Sequence, residues 1–218
     1  MLGRPQQQLN ETYQADVGHD VRDYLITDPK LARILSGNNV LTAGAESLLV
    51  CEDNDGLAMS LYLDDELLDR VRKTDPAQQL ADDQLDDLCK VIEGLSHFMY
   101  VAWRANKDQC MTLLELELQA EVDKYVSTIQ IALEQGDNDL LHSLHGRLFD
   151  QCRFRDDLDH EQLERYRAAS EYAARFCRRL RRRLVHGGDE ALDELRRSYR
   201  MPLADKISHI HARSWGHA

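Results

Sequence analysis

Hydrophobic positions keep no single period through the first third of the chain, then settle after residue 64 into a repeat of about 3.6. Residues 1–15 are polar, contain the Gln6-Gln7-Gln8 run and show no apolar repeat, so they read as a frayed, flexible terminus. Asp28-Pro29 sets a cap and first turn for a short helix that stops at Gly37. Between residues 47 and 63 the period is two: Leu57, Met59, Leu61 and Leu63 alternate with Ala58, Ser60 and Tyr62 after an Asn54-Asp55-Gly56 turn. This is a β-hairpin, and a lone hairpin is marginal in water. Its Leu/Met face therefore needs a helix or a third strand, for which Val21 to Ile26 is the candidate.

Beyond the hairpin every element reads as helical. A helix from Asp64 to Lys73 ends at Asp75-Pro76, and Leu85, Leu88, Ile92, Leu95, Met99 and Trp103 mark one apolar face of a long helix over 82–106. After a break at Lys107–Cys110, Met111, Leu114, Leu118, Val122, Tyr125, Ile129 and Leu133 mark a second, closed by Gly136. So short a link makes an antiparallel α-hairpin. A third long helix runs from Asp159 to His186, and shorter ones cover 138–151, 189–199 and 202–213. The spacing leaves the direction of the third long helix open. The expected fold is mainly α with a small β part (α+β), a helical bundle around the long α-hairpin. One domain is expected over 16–218, with a helix and β-hairpin section at 16–75 and the bundle at 76–218.

Charge adds an asymmetry to this picture. The net charge is -12, from 27 Lys and Arg against 39 Asp and Glu, which disfavours broad binding to nucleic acid or anionic membrane. Residues 165–213 nevertheless hold 13 basic against 6 acidic side chains. The five cysteines have no C-x-x-C spacing and read as thiols of a reducing compartment. With no signal-like or membrane-spanning stretch, the expected location is the cytoplasm.

Candidate chemistry is sparse. Glu93 and His97, one helical turn apart and followed by Tyr100 and Arg104, form a polar strip able to hold a metal or exchange protons. Helical projection sets this strip opposite the leucine stripe, which is how a solvated face looks. Across the α-hairpin, Glu121 and Tyr125 complete the candidate polar site. Glu115 falls on an apolar face, but Thr112-x-x-Glu115 is a capping box, in which the carboxylate turns back to the backbone. His142-x-x-His145, and His209, His211 and His217, read as surface histidines without further ligands. The Asp53–Gly56 turn fails as a calcium loop because Cys51 and Tyr62 stand at its first and last ligand positions. No phosphate-binding glycine loop, nucleophile elbow, zincin motif or paired Glu-x-x-His occurs.

Arg175, Arg178, Arg179, Arg181, Arg182 and Arg183 crowd the end of the third long helix. Cations there complement the helix dipole, yet the run encircles the helix and exceeds what a cap needs. It is the candidate surface for an anion or partner. The leading expectation is a non-enzymatic interaction or regulatory protein that engages a protein partner through this Arg-rich end. The alternative is a helical-bundle enzyme, metal-dependent, with its site at the α-hairpin, and a nucleic-acid binder ranks behind both. No recognised catalytic motif and no named cofactor decide between them.

Overall fold

The computed structural model describes residues 2–36, 44–53, 56–73, 80 and 82–212. Among them are nine α-helices and three strands, a mainly α fold with a small sheet. The expected ends of the short helices at Gly37 and at Asp75-Pro76, the Asn54-Asp55 turn and His217 lie outside the described residues.

The first 15 residues correct the expectation of a frayed terminus. Gly3–Tyr13 is α1, which buries Leu2, Leu9 and Tyr13. Three apolar residues spaced so widely are invisible as a period, and long-range bonds do the rest. The Gln6 side chain donates to the His19 carbonyl (2.6 Å) and accepts from Val21 N–H (3.1 Å). Arg196 and Arg200 donate to the carbonyls of Thr12 and Tyr13 (3.1 and 3.0 Å), satisfying acceptors that the helix end leaves open.

A tight helical turn, Val21–Tyr24, leads into β1 (Leu25–Ile26), followed by α2 (Pro29–Leu35) with Asp28 as its cap. β2 (Glu46–Asp53) pairs antiparallel with β3 (Gly56–Leu63), and β1 adds parallel to β3, giving the order β1-β3-β2. The expected third strand is therefore present, at Leu25–Ile26. Leu61 and Leu63 are buried as the alternation requires, while Leu57 near the turn is exposed. Glu46 stands opposite Leu63, and Leu48 opposite Leu61, so Glu46 shares the sheet face that carries these leucines.

After α3 (Asp65–Lys73), α4 (Asp82–Ala105) lies across β2 and β3. Gly94 permits the approach: a Cβ there would come within 2.7 Å of Glu46 Cγ and 3.0 Å of Leu61 Cδ1. α5 (Leu113–Gln135) starts at the Thr112 cap and ends at Gly136, whose φ of 67° is the left-handed value that favours glycine. It runs antiparallel to α4, with Glu93 meeting Lys124, Ser96 meeting Asp123 and Tyr100 meeting Glu115.

α6 (Asn138–His145) and a π-helical turn (Gly146–Asp150) precede α7 (His160–Val185), which carries the full Asp159/Gln162 capping box. α7 packs on α5 in the parallel sense, since the charge of Glu117 near the start of α5 acts on Tyr166 and that of Arg181 near the end of α7 acts on Tyr125. α8 (Asp189–Arg200) covers α1 and α7, and α9 (Leu203–Ala212) rests on α7. No helix among the described residues is long and apolar enough to cross a membrane.

Candidate functional site

α4 has no solvated face over its second half. Residues 94–104 are all buried, because the sheet, α1 and α5 pack around them. The projection of His97 and Arg104 onto water is therefore corrected: the sheet covers His97, and Glu115 with the chain at Met201 covers Arg104. Polar groups caught there must find partners inside, and they form three clusters along the α4/α5 seam.

The first cluster joins His97 to four carboxylates. His97 Nδ1 lies 3.4 Å from Glu46 Oε1 of β2, and Nε2 lies 3.5 Å from Glu117 Oε2 of α5. The second contact is an ion pair at the edge of hydrogen-bond range, and Nε2 makes no hydrogen bond among the described residues. One turn back on α4, Glu93 accepts from Lys124 Nζ (3.1 Å), which also donates to Glu121 (2.7 Å). Burial alone would lower the pKa of His97, but Glu117 and Glu46 hold it well above the usual imidazole value. Burial pushes the carboxyls of Glu46 and Glu121 up, while Lys124 overcomes it at Glu93 and draws that group down. Glu121 and Glu93 keep Lys124 protonated, against its burial. Four carboxylates face one ammonium and one imidazole.

The second cluster centres on Asp123 of α5. Its carboxylate accepts from Ser96 Oγ (2.5 Å), Gln119 Nε2 (2.9 Å) and the hydroxyl of Tyr13, tying α1 and α4 to α5. Burial nonetheless raises its pKa to about 6. The third cluster holds Tyr100, Arg104, Glu115 and Lys206. Tyr100 donates to Glu115 (2.5 Å), Arg104 pairs with Glu115 and donates to the Met201 carbonyl (2.9 Å), and Lys206 of α9 donates to the Tyr100 hydroxyl (2.7 Å). Burial lowers the pKa of Lys206 to about 7.

The six residues of the expected polar site thus separate. Glu93, His97 and Glu121 meet in the first cluster, and Tyr100 and Arg104 belong to the third. Tyr125 points elsewhere, against His145 and Phe149 (ring centroids 6.0 and 5.9 Å away), with no hydrogen-bond partner for its hydroxyl among the described residues. Glu115 is corrected as well: Thr112 caps the Glu115 N–H, but the carboxylate turns to Tyr100 and Arg104, because two buried donors outbid a solvated backbone N–H. His145 is no surface histidine; it is buried and donates to the Ala174 carbonyl (3.0 Å).

Sequence reasoning missed Glu46, Glu117 and Lys206. Glu46 had a signal, since it continues the inward alternation of Leu48 by one residue. Glu117 and Lys206 gave none.

The arginine run is dispersed. Arg179 pairs with Glu194 (2.8 Å) and Arg181 donates to the Leu141 carbonyl (3.2 Å), both within the fold. Arg183 lies 3.5 Å from Glu190, while Arg175, Arg178 and Arg182 are exposed. All five cysteines are free thiols, and burial pushes Cys89 up to about 12. Comparisons with protein-family models, curated proteins and solved structures find no match.

Proposed function

We propose that this chain binds a single divalent transition-metal ion between α4 and α5, and that its chemistry runs through that ion. The observation that carries the reading is His97 Nε2. Its side chain is 9% exposed, the nitrogen makes no hydrogen bond among the described residues beyond its 3.5 Å ion pair with Glu117, and ligand atoms of Glu93, His97 and Glu117 all lie within 4.8 Å of one another. An unsatisfied buried polar atom costs about 1–3 kcal/mol. A cation seated among these atoms would displace the proton that Glu117 and Glu46 hold on the His97 ring, give Nε2 a ligand bond and offset the excess of negative charge.

One imidazole with two or three carboxylates suits Mn²⁺, Fe²⁺ or Zn²⁺ better than Mg²⁺ or Ca²⁺, which take oxygen ligands alone. Lys124 argues for one ion rather than two. Its ammonium bridges Glu93 and Glu121, the place a second ion takes in a carboxylate-bridged pair. Three or four protein ligands leave coordination positions for water and substrate, so Lewis-acid activation of a water or a carbonyl or phosphoryl oxygen is the chemistry within reach.

Reading the molecule instead as an interaction protein, engaging a partner through the Arg-rich end of α7, has less support, because Arg179 and Arg181 are spent inside the fold.

Elemental analysis tests the proposal after stripping the full chain with chelator and reconstituting it separately with Mn²⁺, Fe²⁺ and Zn²⁺. We expect about one equivalent retained, and loss of retention in His97→Ala and Glu117→Gln. Retention at background, or unchanged in both variants, refutes it.

A further inference from the structure

The surface has a concave site that the metal reading does not use. A cleft of about 410 Å³ runs between the segment 149–154 and α7, within the roughly 300–1,000 Å³ of small-molecule sites. Phe149 and Phe154, both half-buried, line it from one side, and Arg167, Arg175 and Arg178 of α7 line it from the other. We infer that this cleft takes a small phosphate-bearing molecule with an aromatic ring, the guanidinium groups holding the phosphate and the phenylalanines the ring.

Three observations support the assignment. Arg167, Arg175 and Arg178 lie two to five turns before the end of α7 at Val185, beyond the last turn that the helix dipole reaches, so capping does not account for them. They are also weakly committed. Arg167 meets Glu164 at 3.2 Å, Arg175 meets Glu171 at 3.8 Å and donates to His211 Nδ1 at 3.4 Å, all exposed contacts of little strength, and Arg178 has no carboxylate partner among the described residues. Asp150 and Glu171 line the cleft too, leaving an excess of one positive charge in a chain whose net charge is -12. Guanidinium groups on a concave wall bind phosphate bidentately, which an exposed carboxylate partner does not prevent.

The cleft also adjoins the acid cluster. Cys152 lies on its wall beside Ser170, and its thiol is raised by burial and by the charge of Glu121. Tyr166, one turn before Ser170, is raised by burial and by Glu117, Glu93 and Glu46. A phosphate turned toward that wall would bring phosphoryl oxygens, natural ligands for divalent metals, toward the proposed ion. That orientation rests on the metal reading; binding by the arginines does not.

Isothermal titration of the full chain with AMP, adenosine and inorganic phosphate, each with EDTA and with Mn²⁺, tests the inference. In EDTA, AMP is expected to bind at least tenfold more tightly than adenosine or phosphate. Arg175→Gln combined with Arg178→Gln should weaken AMP at least tenfold with an unchanged circular dichroism spectrum. Phe154→Leu should weaken AMP and leave phosphate unchanged. No binding of AMP, equal binding of AMP and adenosine, or wild-type affinity in the double arginine variant overturns the inference. Arginine-dependent AMP binding in a chain that retains no metal sinks the metal reading alone; retained metal without AMP binding sinks the cleft alone.

Discussion

Replacing Lys206 by Met should stabilise the protein at pH 6 and change how its stability depends on pH. The ammonium is buried at 1% exposure, donates to Tyr100 (2.7 Å), and shares Glu115 with Arg104, so two cations face one carboxylate. Burial draws its pKa from 10.5 to about 7, and at about 1.36 kcal/mol per unit the charged form costs the folded state about 5 kcal/mol. A depressed folded pKa gives a contribution that is complete above the unfolded value, near 10.5, and lost as pH falls to about 7. Wild-type stability from this group therefore climbs between about pH 7 and 10.5. Methionine removes the charge and keeps most of the volume, but forfeits the bond to Tyr100, worth about 1 kcal/mol, and some packing. The net expectation is a gain of roughly 2–3 kcal/mol at pH 6 that shrinks toward zero or reverses by pH 10. Urea unfolding followed by circular dichroism at pH 6, 7.5 and 9 reads this directly. A Lys206→Met variant less stable than wild type by the same amount at all three values would refute the reasoning, showing that Lys206 stays charged and fully compensated.

Other expectations follow from the same seam. Asp123→Asn should flatten the acid limb of the stability curve: a folded pKa raised from 3.8 to about 6 gives stability that is full below the lower value and lost by the upper, and the variant lacks that slope in urea midpoints between pH 4 and 6. Tyr125→Phe removes a buried hydroxyl without a partner, so unfolding free energy should hold steady or rise by up to about 1 kcal/mol, and a fall beyond that reveals a hidden partner. Gly94→Ala should destabilise by roughly 1–3 kcal/mol, because its Cβ meets Glu46 Cγ at 2.7 Å, and should weaken metal retention by displacing Glu46 from His97. Thermal unfolding and metal titration of the alanine variant read both effects.

Local signals account for what was legible in the amino-acid sequence. The Thr112 cap, Gly136, the Asp159/Gln162 box and the period-two hairpin each act within a few residues, and each element appears where its signal stands. α1 was illegible because its partners are distant: Gln6 reaches to His19 and Val21, and its carbonyls are met by Arg196 and Arg200. The polar strip of α4 was seen as residues and misjudged in environment. A helical projection shows one apolar face but not that a sheet lies on the other, and Gly94, the residue that lets β2 approach, looks like a mere weak point in a helix. The projection thus picks out Glu93, His97 and Glu121 for chemistry but not that His97 is buried beneath the sheet while the two carboxylates keep partial access to water. Glu46 and Glu117 come to His97 from β2 and α5, a convergence that only tertiary packing creates.

The most direct test of the central claim is the anomalous diffraction of crystals of the full chain grown with Mn²⁺. A single strong peak is expected at bonding distance from His97 Nε2, with carboxylate oxygens of Glu93 and Glu117 completing the contact and Lys124 still bridging Glu93 and Glu121. Absence of a peak at that place, with Nε2 hydrogen-bonded to Glu117 instead, would contradict it.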